Sequence, residues 1–344
     1  MISSGWSVTR FEAREMKRFN DIRSDRFNQG ANMKAVLYHR YGDVNVLQMA
    51  DIPRPEPEAN ELLIEIHAGS VNPIDWKLRQ GALRLIRPLN LPAIPGFDVS
   101  GQVIAIGSNV RAFKVGDAVY ARSNKKAGEA SAEYIALPED VVARKPSNMS
   151  HAEAAAVPLA GLTALQALRN LAHIRTDATL LVNGASGGVG SYAVQIAKAL
   201  GVRTVVGVCS AANAELVRRL GADEVIDYKT ADPLREHEYD VIFDAVSTLG
   251  MRAMGALRRG GIYISTLPGP VLALGNIIGL FGGKRARIIM VRPHGADLEF
   301  LRQMAEENKL MSVIDSEYTL EQIQSAHTAS QAGRARGKIV IKIQ

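Results

Sequence analysis

Leu180-Leu181-Val182-Asn183-Gly184-Ala185-Ser186-Gly187-Gly188-Val189-Gly190-Ser191-Tyr192-Ala193-Val194-Gln195-Ile196-Ala197-Lys198 carries an apolar run into a glycine-rich turn. The apolar residues Val189, Ala193, Ile196 and Ala197 then follow at the spacing of one helix face. The stretch predicts strand, tight turn and helix. The first amides of a helix lack intrahelical partners and gather partial positive charge, so a pyrophosphate is expected on Ala185, Ser186, Gly187, Gly188, Val189 and Gly190. Gly187 and Gly188 allow the turn and a close backbone approach, and Gly190 lets the helix lie against the sheet.

Working outward, Gly201 to Cys209 reads as a second strand at the expected distance, and the alternation continues through Glu224 to Tyr228, Asp240 to Val246, Gly261 to Leu267 and Arg287 to Arg292. Glu215 to Leu220 and Met251 to Leu257 carry helical patterns between them. Six such strands predict an α/β fold with a doubly wound parallel sheet of the Rossmann kind that binds a dinucleotide.

The chain of 344 residues is long enough for two domains. Its formal charge of +6 is scattered, with no long basic run, which argues against nucleic acid as a partner. A single cysteine, Cys209, excludes an intramolecular disulfide framework and any multi-cysteine metal site, and suits a reducing, cytoplasmic setting. The most apolar stretch, Val271 to Gly283, is too short to span a bilayer, which takes roughly 18 residues. It reads either as a buried helix or interface segment or as an apolar lid over a lipophilic substrate.

Residues 1–32 mix basic and acidic side chains without an apolar period and are expected to form a flexible extension, ascribed to an upstream start codon. They hold no apolar core of a secretory signal. From Met33 the pattern is strand-rich: Lys34 to Tyr38, Asn45 to Met49, a proline-rich turn at Pro53 to Pro57, Leu62 to Ala68, Val103 to Gly107, Val115 to Tyr120 and Ala132 to Ala136. Short strands with proline punctuation predict a small antiparallel barrel or sandwich. Beyond Pro293, Asp297 to Asn308 and Leu320 to Ser330 read as helices and Gly337 to Ile343 as a last strand that rejoins the first domain. The expected division is therefore 33–157 and 293–344 for a β-rich catalytic domain, with 158–292 the dinucleotide domain and the cleft between them.

The order of motifs resembles the medium-chain dehydrogenase/reductase superfamily, within it the zinc-independent quinone oxidoreductases and enone reductases. The carriers are Asn72-Pro73-Ile74-Asp75, Ile94-Pro95-Gly96-Phe97-Asp98, Gly116-Asp117-Ala118-Val119, Pro158-Leu159-Ala160-Gly161-Leu162-Thr163-Ala164, Ala185 to Gly190, Leu220-Gly221-Ala222-Asp223 and Gly333 to Lys338. The resemblance implies a GroES-like catalytic domain beside the Rossmann domain. Where zinc alcohol dehydrogenases of the superfamily place Cys, His and Cys on the metal, this chain has Asn72, Phe97 and Leu159, which are poor zinc ligands. Asp75 and Asp98 are expected as turn-capping carboxylates. Two tyrosines that line the cleft in some quinone reductases of the branch align with Lys77 and Leu83.

For the cofactor, no acid follows the second strand to hold a ribose 2′-hydroxyl. Ser210 and Tyr228 match residues around the 2′-phosphate in NADPH-using relatives, so NADPH is expected. The resemblance further implies Thr163 near the nicotinamide, the backbone at Thr266 and Leu267 flanking its ring, and Lys338 at the phosphates. The implied activity is reduction of the carbon–carbon double bond of a small lipophilic α,β-unsaturated carbonyl compound, with quinones as further substrates. Asn72 is expected to orient the carbonyl; Lys77 is either a second donor or a surface lysine. An enoyl-thioester reductase and a non-catalytic NADPH-binding protein stand as alternatives, and a homodimer is a family-level expectation.

Overall fold

The computed structural model describes residues 27–235, 238–271, 275, 277 and 283–344. Its first seven strands are β1 (Phe27–Leu37), β2 (Gln48–Pro55), β3 (Glu61–Val71), β4 (Asp98–Ile106), β5 (Ala118–Arg122), β6 (Tyr134–Pro138) and β7 (Val142–Arg144). Then come β8 (Thr179–Asn183), β9 (Thr204–Cys209), β10 (Glu224–Asp227), β11 (Tyr239–Asp244), β12 (Leu257–Ser265) and β13 (Arg285–Ile288), and finally β14 (Ile314–Thr319) and β15 (Lys338–Lys342).

The six strands β8 to β13 lie in the order β10-β9-β8-β11-β12-β13, and every pairing is parallel. That is the doubly wound order, with its switch point between β8 and β11. Leu180, Leu181 and Val182 form an unbroken buried run because helices cover both faces of such a sheet. The helix Gly188–Ala199 covers one face through Tyr192, Ala193, Ile196 and Ala197.

The other large sheet runs β14-β15-β3-β4-β5-β7, with β6 also paired to β3. β3 is its hub, antiparallel to β4, β6 and β15, which explains why this strand is buried along most of its length. The late strand β15 thus rejoins strands from the first part of the chain. Tyr120 of β5 packs into the apolar cluster of the parallel-sheet region, and its hydroxyl donates to the Leu298 carbonyl at 2.5 Å.

Several elements differ from the sequence reading. Asn45 to Met49 is a 3₁₀ turn, Val44–Val46, leading into β2, and β2 continues through Pro53 and Pro55 instead of breaking there. β1 and β2 form a two-stranded sheet, so each prolyl nitrogen can face away from a partner. β14 was not anticipated; its alternating burial at Ile314, Ser316 and Tyr318 is the period-two signal that marks it. β12 begins at Leu257, ahead of Gly261. β1 opens at Phe27, while residues 1–26 of the expected extension and most of the apolar stretch 271–283 lie outside the described residues. No helix among the described residues is long and apolar enough to cross a membrane.

Candidate active site

At the carboxyl end of β8 the chain turns through Gly184, whose φ of +78° is open to glycine and strained for other residues. The helix that follows is capped by Gly187 in an extended conformation, with no side-chain cap and no acid in its first turn. Its leading amides at Gly188, Val189 and Gly190 therefore have neither an intrahelical partner nor a competing carboxylate. A Cβ on Gly190 would stand 2.1 Å from the Gly184 carbonyl oxygen, so glycine alone permits this packing. The cradle fits the pyrophosphate of a dinucleotide.

Opposite the turn, a buried network fixes the loops after β11 and β12. Asn183 Nδ2 donates to Asp244 at 2.8 Å, and Asp244 also accepts from the Tyr263 hydroxyl and the Leu249 amide. Ser247, at φ +59°, accepts from the Leu267 amide at 3.1 Å and lies 3.1 Å from the Thr266 hydroxyl. Thr266 and Leu267 are thereby held at the carboxyl edge of the sheet, beside the switch point.

Ser210 and Tyr228 follow β9 and β10, neighbouring parallel strands, and the Tyr228 amide donates to the Cys209 carbonyl at 3.3 Å. Tyr228 is 58% exposed, a phenol left at the strand end. Two residues here escaped the sequence reading. Asn213 donates from Nδ2 to the Ser186 hydroxyl at 3.1 Å, bracing the glycine turn against the loop after β9. Asp227 stands in register with Cys209, where its carboxylate accepts from the Lys229 amide. No short motif announces either contact, since both depend on which strand ends the sheet order brings together.

The centre of the site is a buried polar cluster. Asn72 caps the helix Pro73–Arg79 through a box in which its own amide donates to Asp75 at 2.6 Å. Its side-chain Nδ2 donates to Asp98 Oδ2 at 2.8 Å, and Ser70 donates to the same oxygen at 2.5 Å. Asp98 Oδ1 accepts from the Leu159 amide at 2.7 Å, which ties the cluster to the first turn of the helix Pro158–Leu165. Thr163 lies on that helix, buried, with its hydroxyl returned to the Leu159 carbonyl. Lys338 completes the cluster, donating to Asn72 Oδ1 at 2.5 Å and to Asp98 at 3.3 Å. An ammonium on one side and a carboxylate on the other fix which end of the Asn72 amide is oxygen.

Two expectations meet this geometry. The resemblance implies Lys338 at the phosphates, whereas its ammonium turns to Asn72 and Asp98; only its stem borders the cradle, with Cδ 3.0 Å from where a Cβ on Gly188 would sit. Asp98 does more than cap a turn, because it is the shared acceptor of the whole cluster. The backbone carries a second seam: the Gly337 amide donates to the Ser186 carbonyl at 2.9 Å, and Gly187 and Gly337 form a parallel bridge. Lys77 lies outside the bonded cluster, its ammonium 5.3 Å from the centre of the Trp76 ring, and burial lowers its pKa. Asp75 is fully buried, which pushes its carboxyl up to about 7 against the pull of the Asn72 amide.

Residues 58–147 match the alcohol dehydrogenase GroES-like domain, and residues 220–341 match the zinc-binding dehydrogenase family. A chloroplast envelope quinone oxidoreductase homolog of Arabidopsis thaliana is 37% identical over 332 residues, covering 91% of this chain and 99% of the relative. The 2-methylene-furan-3-one reductase of Solanum lycopersicum is 36% identical over 90% of this chain and 79% of its own. The NADPH-dependent alkenal/one oxidoreductase of Arabidopsis thaliana chloroplasts is 35% identical, with the same coverages of 90% and 79%. Among solved structures, the quinone oxidoreductase from Coxiella burnetii is similar with a TM-score of 0.83 and 32% identity, over 91% of this chain and 100% of that one.

This chain belongs to the medium-chain dehydrogenase/reductase superfamily, in its zinc-independent branch. It is an oxidoreductase built on a GroES-like domain and a Rossmann-like domain, and its cofactor is a nicotinamide dinucleotide. One matched family is named for zinc. Among the described residues no group of three or more His, Cys, Asp or Glu is arranged to hold a metal.

Proposed function

We propose that the protein is an NADPH-dependent reductase of the carbon–carbon double bond in small α,β-unsaturated carbonyl compounds, with quinones as further acceptors. The observation that carries this reading is the Asn72 amide. It stands at a former metal-ligand position, and Lys338 and Asp98 hold it in one orientation. The names of the relatives that reduce a methylene-furanone and alkenals or enones support the same substrate class. The reading assigns 33–157 and 293–344 to the catalytic domain and 158–292 to the cofactor domain.

The glycine turn from Ala185 to Gly190 would hold the pyrophosphate, Ser210 and Tyr228 the 2′-phosphate, and Thr163, Thr266 and Leu267 the nicotinamide end. The bound reduced nicotinamide supplies hydride. Reduction at the β-carbon moves negative charge to the substrate's carbonyl oxygen, so the protein's task is to meet an enolate. Asn72 Nδ2 has two hydrogens, and one is committed to Asp98. The second is available to the substrate oxygen. Lys338, donating to Asn72 Oδ1, draws electron density through the amide and strengthens that donor. Lys77 can approach as a second donor from the same helix, and the α-carbon takes its proton from water.

The experiment is NADPH oxidation with a panel of short and long enones, quinones and enoyl thioesters, followed by locating deuterium delivered from labelled NADPH. Label on the β-carbon is expected. Label on the carbonyl carbon would make the protein a carbonyl reductase and end this reading.

A further inference from the structure

Two guanidiniums stand beside the segment Phe97-Asp98. Arg122 of β5 stands directly opposite Asp98 in the antiparallel register of β4 and β5. It is only 7% exposed, and its guanidinium lies 5.2 Å from the centre of the Phe97 ring. Arg87 reaches the same ring at 5.5 Å from the loop that follows the helix Pro73–Arg79. Phe97 immediately precedes Asp98 and fills another of the former metal-ligand positions.

Neither guanidinium has a carboxylate partner within ion-pair distance among the described residues. Arg122 donates from Nη1 to the Ser123 carbonyl at 3.3 Å, and its Nε has no partner. Arg87 donates from Nε to the Lys126 carbonyl at 3.1 Å. Asp98 cannot turn to them without loss, because its two oxygens already receive Ser70, Asn72, Lys338 and the Leu159 amide. Asp75 is the other nearby acid, and with its carboxyl pushed up to about 7 it carries only part of a charge near neutrality. Burial also lowers Arg122, to about 10, which still leaves it charged at neutral pH. Arg122 is thus a buried cation with no ion-pair partner among the described residues, which is costly unless a ligand completes it.

We propose that Arg122 and Arg87 receive a carboxylate carried by the unsaturated substrate, so that the enzyme prefers enones bearing an acid group over their neutral counterparts. This rests on reading the cleft as an enone site. Arg122 supplies a guanidinium fixed against Phe97, and half-buried Arg87 supplies the route in from solvent. A planar fork of donors suits a carboxylate, and Arg122 and Arg87 bring two such forks to the same aromatic ring.

The test compares 7-oxo-oct-5-enoate, its methyl ester and the matching phosphonate as substrates with NADPH. The wild type is expected to favour the acid over the ester at least tenfold in kcat/KM. Arg122→Met and Arg87→Met should each cut that ratio at least fivefold, mainly through KM, with Arg122→Lys recovering part of it. Equal use of acid and ester by the wild type overturns the proposal, and preference for the phosphonate overturns the choice of carboxylate. If Arg122→Met fails to fold, Arg87→Met and the wild-type comparison decide. Titration calorimetry with saturated 7-oxo-octanoate gives a readout apart from turnover. Binding that weakens at least fivefold in Arg87→Met supports the anion site even if no enone is reduced, and absence of binding to the wild type overturns it.

Discussion

The Lys338 ammonium lies 3.3 Å from the Asp98 carboxylate across 240 residues of chain, and the two side chains are 4% and 0% exposed. Burying either charge alone would be far more costly than burying the pair. Lys338→Met should destabilise the protein by about 3–5 kcal/mol, because it leaves Asp98 ionised in a dry site. Urea unfolding at neutral pH measures this. A loss below about 1 kcal/mol would mean that the pair is solvated and the cluster looser than described.

Asn72→Ala removes the proposed enolate donor and the amide that bonds both Lys338 and Asp98. Loss of a donor of this kind costs about 2.7–4 kcal/mol of transition-state stabilisation, which sets the scale expected for kcat. The dissociation constant for NADPH should change much less, since the residue touches neither the glycine turn nor the loop after β9. Stopped-flow hydride transfer together with fluorescence titration of the cofactor separates the two effects; equal losses in both would remove Asn72 from the chemistry.

Asp75 gives stability a pH slope. Its carboxyl is raised from 3.8 to about 7, chiefly by burial, so the folded chain keeps a proton that the unfolded chain releases. Below the unfolded pKa, about 3.9 for an aspartate, both states are neutral and the group costs nothing. Stability then declines as pH rises toward 7 and levels off above it, with a full cost on the order of 4 kcal/mol. Asp75→Asn keeps a side-chain oxygen for the Asn72 amide and should flatten this slope. Urea midpoints at pH 5 and pH 8 for both proteins check it, and parallel slopes would sink the idea.

Cofactor preference is best probed at Ser210. Cys209, the last residue of β9, is 3% exposed and packs into the core, so a carboxylate there would be buried beside Asp227. Ser210 is half-buried at the strand end, and Ser210→Asp should turn a 2′-phosphate away while offering an acceptor to a 2′-hydroxyl. The ratio of kcat/KM for NADPH over NADH should fall at least tenfold, which is about 1.4 kcal/mol. An unchanged ratio would move the phosphate pocket elsewhere.

The parallel sheet was legible because its central strands β8, β9 and β11 are short, largely apolar runs, and the glycine turn fixed where the first of them ends. Asn72, Phe97 and Leu159 were legible as candidates through the motifs around them. The buried cluster that joins Asn72 to the Leu159 amide was not. Lys338 is separated from Asn72 by 266 residues, and a lysine in a Gly-Lys-Ile run looks the same in sequence whether it faces a phosphate or a buried amide. The strand-end contacts of Asn213 and Asp227 were hidden for the same reason, since register between neighbouring strands is set by the whole sheet. β2 was misread because proline signals a break in a central strand and is tolerated in an edge strand.

The backbone seam between Gly337 and Ser186 bears on the order of assembly. Every strand of the parallel sheet leaves the ribosome before β15, so the glycine turn is made early and lacks its flank until Gly337 arrives. Gly337 has a φ of +91° and passes so close to Val313 that a Cβ there would stand 2.1 Å from its carbonyl oxygen, which ties the seam to the approach into β14. The flank of the glycine turn is therefore set by the same late step that closes the other sheet.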